Sequence, residues 1–173
     1  MLYFSYGSNM SVCRLLKRVP SAKFVATASL NEHDLRFHKK SKDGSSKCDA
    51  YYTGNSGHSI IGVIFEIPET EKPELDRKEG LGNGYEEKEV MLTTPAGEQI
   101  KALTYYATNI DETLRPYQWY KYHVLTGAKE NGLPDFYLKK LENIKSIQDP
   151  KQERYDREMA IYAGKNSSTH IFC

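Results

Sequence analysis

Cysteine is scarce and scattered in this 173-residue chain: Cys13, Cys48 and Cys173 lie far apart, with no Cys-x-x-Cys pair. Neither a disulfide framework nor a zinc site is expected, and reduced thiols fit best. The five histidines do not cluster, so neither a metal site nor a Cys-His dyad is supported. An excess of one charge is missing too. The 24 Lys+Arg against 23 Asp+Glu leave a net charge of +1, where a duplex-binding domain carries a basic surplus; no nucleic acid is expected, and a small-molecule partner is favoured. No apolar run approaches the ~20 residues of a bilayer span, which argues against the membrane. Met1 to Phe4 lack the basic and long apolar segments of an export signal, so a cytoplasmic setting is expected. There is no Gly-x-Ser-x-Gly elbow, phosphate-binding loop or dinucleotide fingerprint, and no internal repeat.

What is present is enough for one core, since a chain of this size buries roughly 70% of its unfolded surface. Leu2 to Tyr6 reads as a buried first strand stopped at Gly7. Val12, Leu15, Leu16 and Val19 recur at helical spacing, with Asn9 or Ser11 as cap and Pro20 as terminator. Phe24 to Leu30, then Leu35 and Phe37, and the β-branched run Ile60 to Ile67 split by Gly62, read as strands. Lys39 to Lys47 is most simply a solvated loop, the alternative being that its cations face an anionic ligand. Glu71 to Lys78 makes a short helix, with Pro73 in its first turn and Gly80 past its end. Glu86 to Thr93 and Gln99 to Ala107 form a hairpin through Pro95-Ala96-Gly97. Helices then start at Pro116, ending at Gly127, at Pro134, and after Asp149. Strands mostly preceding helices indicate an α+β class: one compact domain over residues 1–164, a small mixed barrel or strongly curled sheet with flanking helices. Residues 165–173 read as a loose tail, and assembly into a homodimer stays open.

Three features can carry chemistry. In Tyr6-Gly7-Ser8-Asn9, a glycine between strand and helix lets consecutive backbone N–H groups share one concavity that attracts a carboxylate, phosphate or oxyanion; the same corner serves purely structural ends in many proteins. Glu79-Gly80, followed by Gly82-Asn83-Gly84-Tyr85, sets an acid beside a flexible stretch, as either a general base or an ordinary surface carboxylate. Asp76 stands three residues earlier and could share its helical face. Tyr85, Tyr105, Tyr106, Tyr120 and Tyr122 are numerous enough to line a cavity with hydroxyls that fix a polar ligand, or simply pack half-buried.

Taken in order with Gly127-Ala128-Lys129-Glu130-Asn131-Gly132-Leu133-Pro134, these motifs resemble the γ-glutamylcyclotransferase family over about Met1 to Ile144. The resemblance implies a mixed fold around a small barrel and conversion of a γ-glutamyl amino acid to 5-oxoproline and free amino acid, within glutathione metabolism, without cofactor or metal. It places the family's binding loop on Tyr6, Gly7, Ser8 and Asn9, its catalytic glutamate on Glu79, and its pocket tyrosines on Tyr85, Tyr105 and Tyr120. Relatives that act on γ-glutamyl amines or acylated precursors leave the second half of the substrate open. So does a non-catalytic module that merely binds a small acid.

Overall fold

The computed structural model describes residues 1–163, so the tail expected over residues 165–173 lies outside the described residues. Among the described residues, seven strands and five α-helices follow the order β1 (Leu2–Ser5), α1 (Val12–Leu16), β2 (Lys23–Asn31), β3 (His33–Lys40), β4 (Ser46–Tyr52), β5 (Ser59–Glu66), α2 (Lys72–Glu79), β6 (Tyr85–Thr93), β7 (Gln99–Ala107), α3 (Gln118–Glu130), α4 (Asp135–Glu142) and α5 (Gln152–Met159). The strands β1-β5-β2-β6-β7 close into a barrel, and β3-β4 form a separate two-stranded sheet. The barrel is mixed. β1 runs antiparallel to β5, with Tyr3 opposite Phe65, and parallel to β7, with Tyr3 opposite Leu103. The α+β class with a small barrel is therefore the observed one.

The core is apolar where the alternation predicts. Phe4, Ile60, Ile64, Ile67 and Leu92 have no exposed surface. Gly62 interrupts β5 because a Cβ there would lie 2.4 Å from the Ser5 carbonyl oxygen and 2.8 Å from the Phe4 ring: β1 crosses too closely for any side chain. Helix α2 begins with Pro73 in its first turn and ends on Gly80 at φ 81°, a left-handed cap that a β-carbon would disfavour. No helix among the described residues is long and apolar enough to cross a membrane.

Three expectations are corrected. The stretch Lys39 to Lys47 is a loop only in part: β3 runs through Lys40 and β4 starts at Ser46, leaving a five-residue turn in which Lys42 and Gly44 are exposed, while Ser45 and Ser46 are fully buried. Polar residues close this hairpin onto the barrel, since Asp49 accepts the Ala107 N–H at 2.7 Å and pairs with His38 at 2.8 Å. Helix α3 continues through Gly127 to Glu130, the glycine marking close packing rather than a terminus. Cys48 is a free buried thiol, but Cys13 is disulfide-bonded, against the expectation of reduced thiols.

The last helix is tied to the first. Glu158 of α5 accepts hydrogen bonds from Arg14 at 2.5 Å and from His123 Nε2 at 3.1 Å, while His123 Nδ1 faces the Tyr162 hydroxyl at 2.7 Å. Burial holds the His123 imidazole down at about 4, although Glu158 pulls the other way. Burial pushes Glu158 up, but the His123 hydrogen bond and the Arg14 charge overcome it and hold the carboxyl at about 2. An unfolded histidine titrates near ~6.5, so between there and about 4 the unfolded chain binds a proton that folded His123 refuses. Stability should therefore fall as pH drops through that window. The expected outcome is a urea midpoint that declines on acidification from about pH 6.5 to 4, with a flatter curve for His123→Gln.

Candidate active site

Beyond β1 the chain turns at Gly7 into one 3-10 turn, Ser8–Met10. Gly7 has φ −118°, so the left-handed conformation does not explain it. A Cβ there would instead stand 3.2 Å from Cys48 Cβ and 3.4 Å from the Tyr120 hydroxyl, which is tight contact. The backbone N–H groups of Gly7, Ser8 and Asn9 find no acceptor among the described residues. The turn is clamped from behind by α3. A Cβ on Gly127 would fall 2.2 Å from Ser11 N and 2.4 Å from Met10 C, Asn131 Nδ2 donates to the Met10 carbonyl at 2.9 Å, and Glu130 accepts the Val12 N–H at 2.5 Å. The Gly127 to Pro134 block thus shapes the turn without lining the site.

Glu79 is the last residue of α2, and its side chain is 17% exposed. Its Oε1 accepts Asn9 Nδ2 at 2.9 Å and Arg18 Nη1 at 2.5 Å; the same Arg18 nitrogen donates to Asn9 Oδ1 at 2.9 Å, and Asn9 Nδ2 also reaches the Tyr3 hydroxyl at 3.1 Å. Its Oε2 has no hydrogen-bond partner among the described residues. Asp76 is not a second catalytic carboxylate in the cavity: Lys72 holds both of its oxygens at 2.8 Å, and the Tyr105 hydroxyl donates to it at 2.5 Å.

A small pocket opens between these elements, and all eight residues to which the resemblance gives a role line it: Tyr6, Gly7, Ser8, Asn9, Glu79, Tyr85, Tyr105 and Tyr120. Sequence reasoning missed Tyr3, Ser5 and Cys48, which complete the lining. Tyr106 and Tyr122 stay outside it, Tyr122 being 44% exposed. The hydroxyls of Tyr85 and Tyr105 correct another expectation, whereas that of Tyr120 only accepts, from the Cys48 N–H at 3.0 Å. Tyr6 donates to the Tyr105 carbonyl at 2.6 Å, Tyr85 to the Cys48 carbonyl and Tyr105 to Asp76, so these three protons are spent within the protein. Burial holds the Tyr6, Tyr85 and Tyr120 hydroxyls well above the ordinary phenol range. The rings build a wall of fixed shape. Burial also pushes the Cys48 thiol up to about 12, which denies it a nucleophilic thiolate near neutrality.

A second, roomier cavity shares Ser8, Glu79, Tyr85 and Tyr120 with the first and adjoins it as its mouth. Arg14, Arg18, Lys39, Lys47 and Lys78 line it. Among the described residues no group of three or more His, Cys, Asp or Glu side chains is arranged to hold a metal ion.

Comparison with known proteins agrees with this geometry. A model of the AIG2-like family matches residues 59–141. The γ-glutamylcyclotransferase of Bos taurus is 35% identical over 150 residues, covering 83% of this chain and 78% of that protein. The Homo sapiens γ-glutamylcyclotransferase is 35% identical over 153 residues, with the same coverage. A solved structure of a γ-glutamyl cyclotransferase superposes with a TM-score of 0.84 at 31% identity, covering 95% of this chain and 99% of that one.

The contact between α3 and the turn is testable. Gly127→Ala sets a methyl group against backbone that cannot yield, at a cost of about 1–3 kcal/mol. The thermal midpoint should fall by roughly 3–10 °C in calorimetry.

Proposed function

The chain belongs to the γ-glutamylcyclotransferase family, and from that premise we propose that it cyclises a small γ-glutamyl amino acid to 5-oxoproline, releasing the free amino acid. The observation that carries the reading is the Glu79 carboxylate, fixed through Oε1 and lining the same pocket as the Tyr6 to Asn9 turn.

The substrate brings its own nucleophile. Its α-amine attacks the γ-carbonyl, a C–N bond closes the five-membered lactam, and the amide C–N bond to the leaving amino acid breaks. No side-chain nucleophile is needed, in accord with the inert Cys48 thiol. Near neutrality the amine arrives largely as an ammonium and must lose a proton before attack. That first proton leaves for solvent; after attack Glu79 Oε2, the oxygen without a partner, accepts the second proton that the attacking nitrogen sheds as the lactam N–H forms, and passes it to the departing nitrogen. Asn9 and Arg18 orient the carboxylate by occupying Oε1. The unpaired N–H groups of Gly7, Ser8 and Asn9 supply donors for a substrate carboxylate or for the oxyanion that develops at the carbonyl. The tyrosine walls favour a folded substrate, and oriented ring closure of this kind gains up to roughly 7–11 kcal/mol from pre-positioning. A cytoplasmic role in glutathione metabolism, without nucleic-acid or membrane partners, accords with this reaction.

Two variants test the assignment. Glu79→Gln keeps the size and loses the basic oxygen, so turnover of γ-glutamyl dipeptides should drop about 10²- to 10⁴-fold with 5-oxoproline binding largely kept. Mass spectrometry of 5-oxoproline and released amine, over a panel of dipeptides, γ-glutamyl amines and glutathione, reads the loss. Near-normal turnover would remove Glu79 from its role. Cys48→Ala should leave turnover within the same order of magnitude, and a collapse would point instead to a thiol acyl-enzyme.

A further inference from the structure

The mouth of the site holds five cations, and four of them are already matched. Arg14 pairs with Glu158 at 2.5 Å, Arg18 with Glu79 at 2.5 Å, Lys47 with Asp43 at 2.8 Å and Lys78 with Glu74 at 3.7 Å. Lys39 differs. Its ammonium makes no hydrogen bond or ion pair among the described residues, and the residue as a whole is only 8% exposed. The carboxylates of Glu79 and Asp43 reach it through their fields alone. An ammonium that lines the cavity with no counter-ion of its own is placed to meet an anion when a ligand binds there.

The surroundings hold this ammonium in place. Lys39 is anchored in the β3-β4 ladder opposite Lys47 and forms an isolated bridge with Ile110 on its other side. Its Cε lies 3.1 Å from where a Cβ on Gly84 would project, and Gly84 has φ +102°, a conformation and a gap that suit glycine. Its Nζ rests over the Tyr85 ring, 4.6 Å from the centroid, which compensates part of the burial. Tyr85 lines both the inner pocket and the mouth.

Resting on the cyclotransferase reading, we propose that Lys39 is a specificity residue that binds the carboxylate of the leaving amino acid. Ser8, Glu79, Tyr85 and Tyr120 line both cavities, so a scissile amide beside Glu79 stands at their junction. With the glutamyl head in the inner pocket, the leaving half occupies the mouth. A γ-glutamyl amino acid carries a carboxylate there; a γ-glutamyl amine carries none. Lys39 therefore selects the first class over the second.

γ-Glutamylalanine and γ-glutamylethylamide form a matched pair, differing only by that carboxylate. In steady-state kinetics the wild type should prefer the alanine compound in kcat/KM by roughly 10- to 100-fold, the worth of a charge-assisted hydrogen bond. Lys39→Met should bring the ratio near one, through a raised KM for the alanine compound, whereas Lys39→Arg should keep most of the preference. The ethylamide rate of each variant reports whether its site is folded. A wild-type ratio near one, or a Lys39→Met ratio equal to that of wild type, overturns the assignment and leaves the cyclotransferase reading standing. Failure of wild-type protein to release 5-oxoproline from either compound overturns both.

Discussion

The Glu79 carboxylate, gripped at one oxygen by Asn9 and Arg18, is the contact on which the site depends. It joins two segments separated by 70 residues, the turn after β1 and the end of α2. Neither segment could hold the geometry alone. The turn is kept in shape by α3 pressing on it through Gly127, and α2 by Pro73 at its start and Gly80 at its end. The barrel sets the distance between them: β1 is paired on both edges, so the chain leaves it in a fixed direction. Each of these constraints is a backbone fact, and together they leave the side chains little freedom.

The tyrosines do related work by a different route. The hydroxyls of Tyr6, Tyr85 and Tyr105 donate to carbonyls and to Asp76, and that of Tyr120 accepts the Cys48 N–H, so the rings cannot swing, and burial keeps the phenols protonated. Selectivity for ligand shape then comes from the walls, while the polar groups open to a ligand are one carboxylate oxygen, the Tyr120 hydroxyl and a few backbone N–H groups. Such a division keeps the cavity free of side-chain nucleophiles, in keeping with a reaction whose nucleophile belongs to the substrate.

Much of this was legible in the sequence where signals are local. The β6-β7 hairpin follows from alternation on either side of Pro95-Ala96-Gly97, and α2 from its terminal proline and glycine. β4 escaped notice because Ser46, Lys47 and Asp49 break the apolar alternation: these polar residues are held by tertiary hydrogen bonds that no short window reveals. Gly127 reads as a helix stop because a glycine that ends a helix and one that admits a neighbouring backbone look alike in sequence. The convergence of Tyr6 to Asn9 with Glu79 came from resemblance, since no periodicity links residues so far apart. Arg18 and Lys39 carried no signal that would distinguish a buried cation from a solvated one.

The occupied Oε1 of Glu79 has one further implication. A carboxylate pinned on one side cannot flip to present its other oxygen, so it relays the proton from one fixed position. Both nitrogens of the proposed reaction must come to the same atom in turn. At the tetrahedral stage they share a single carbon, which brings them within reach of one oxygen without any rearrangement of the protein. Whatever travels during the reaction is therefore the substrate, curling on itself inside a scaffold that stays still.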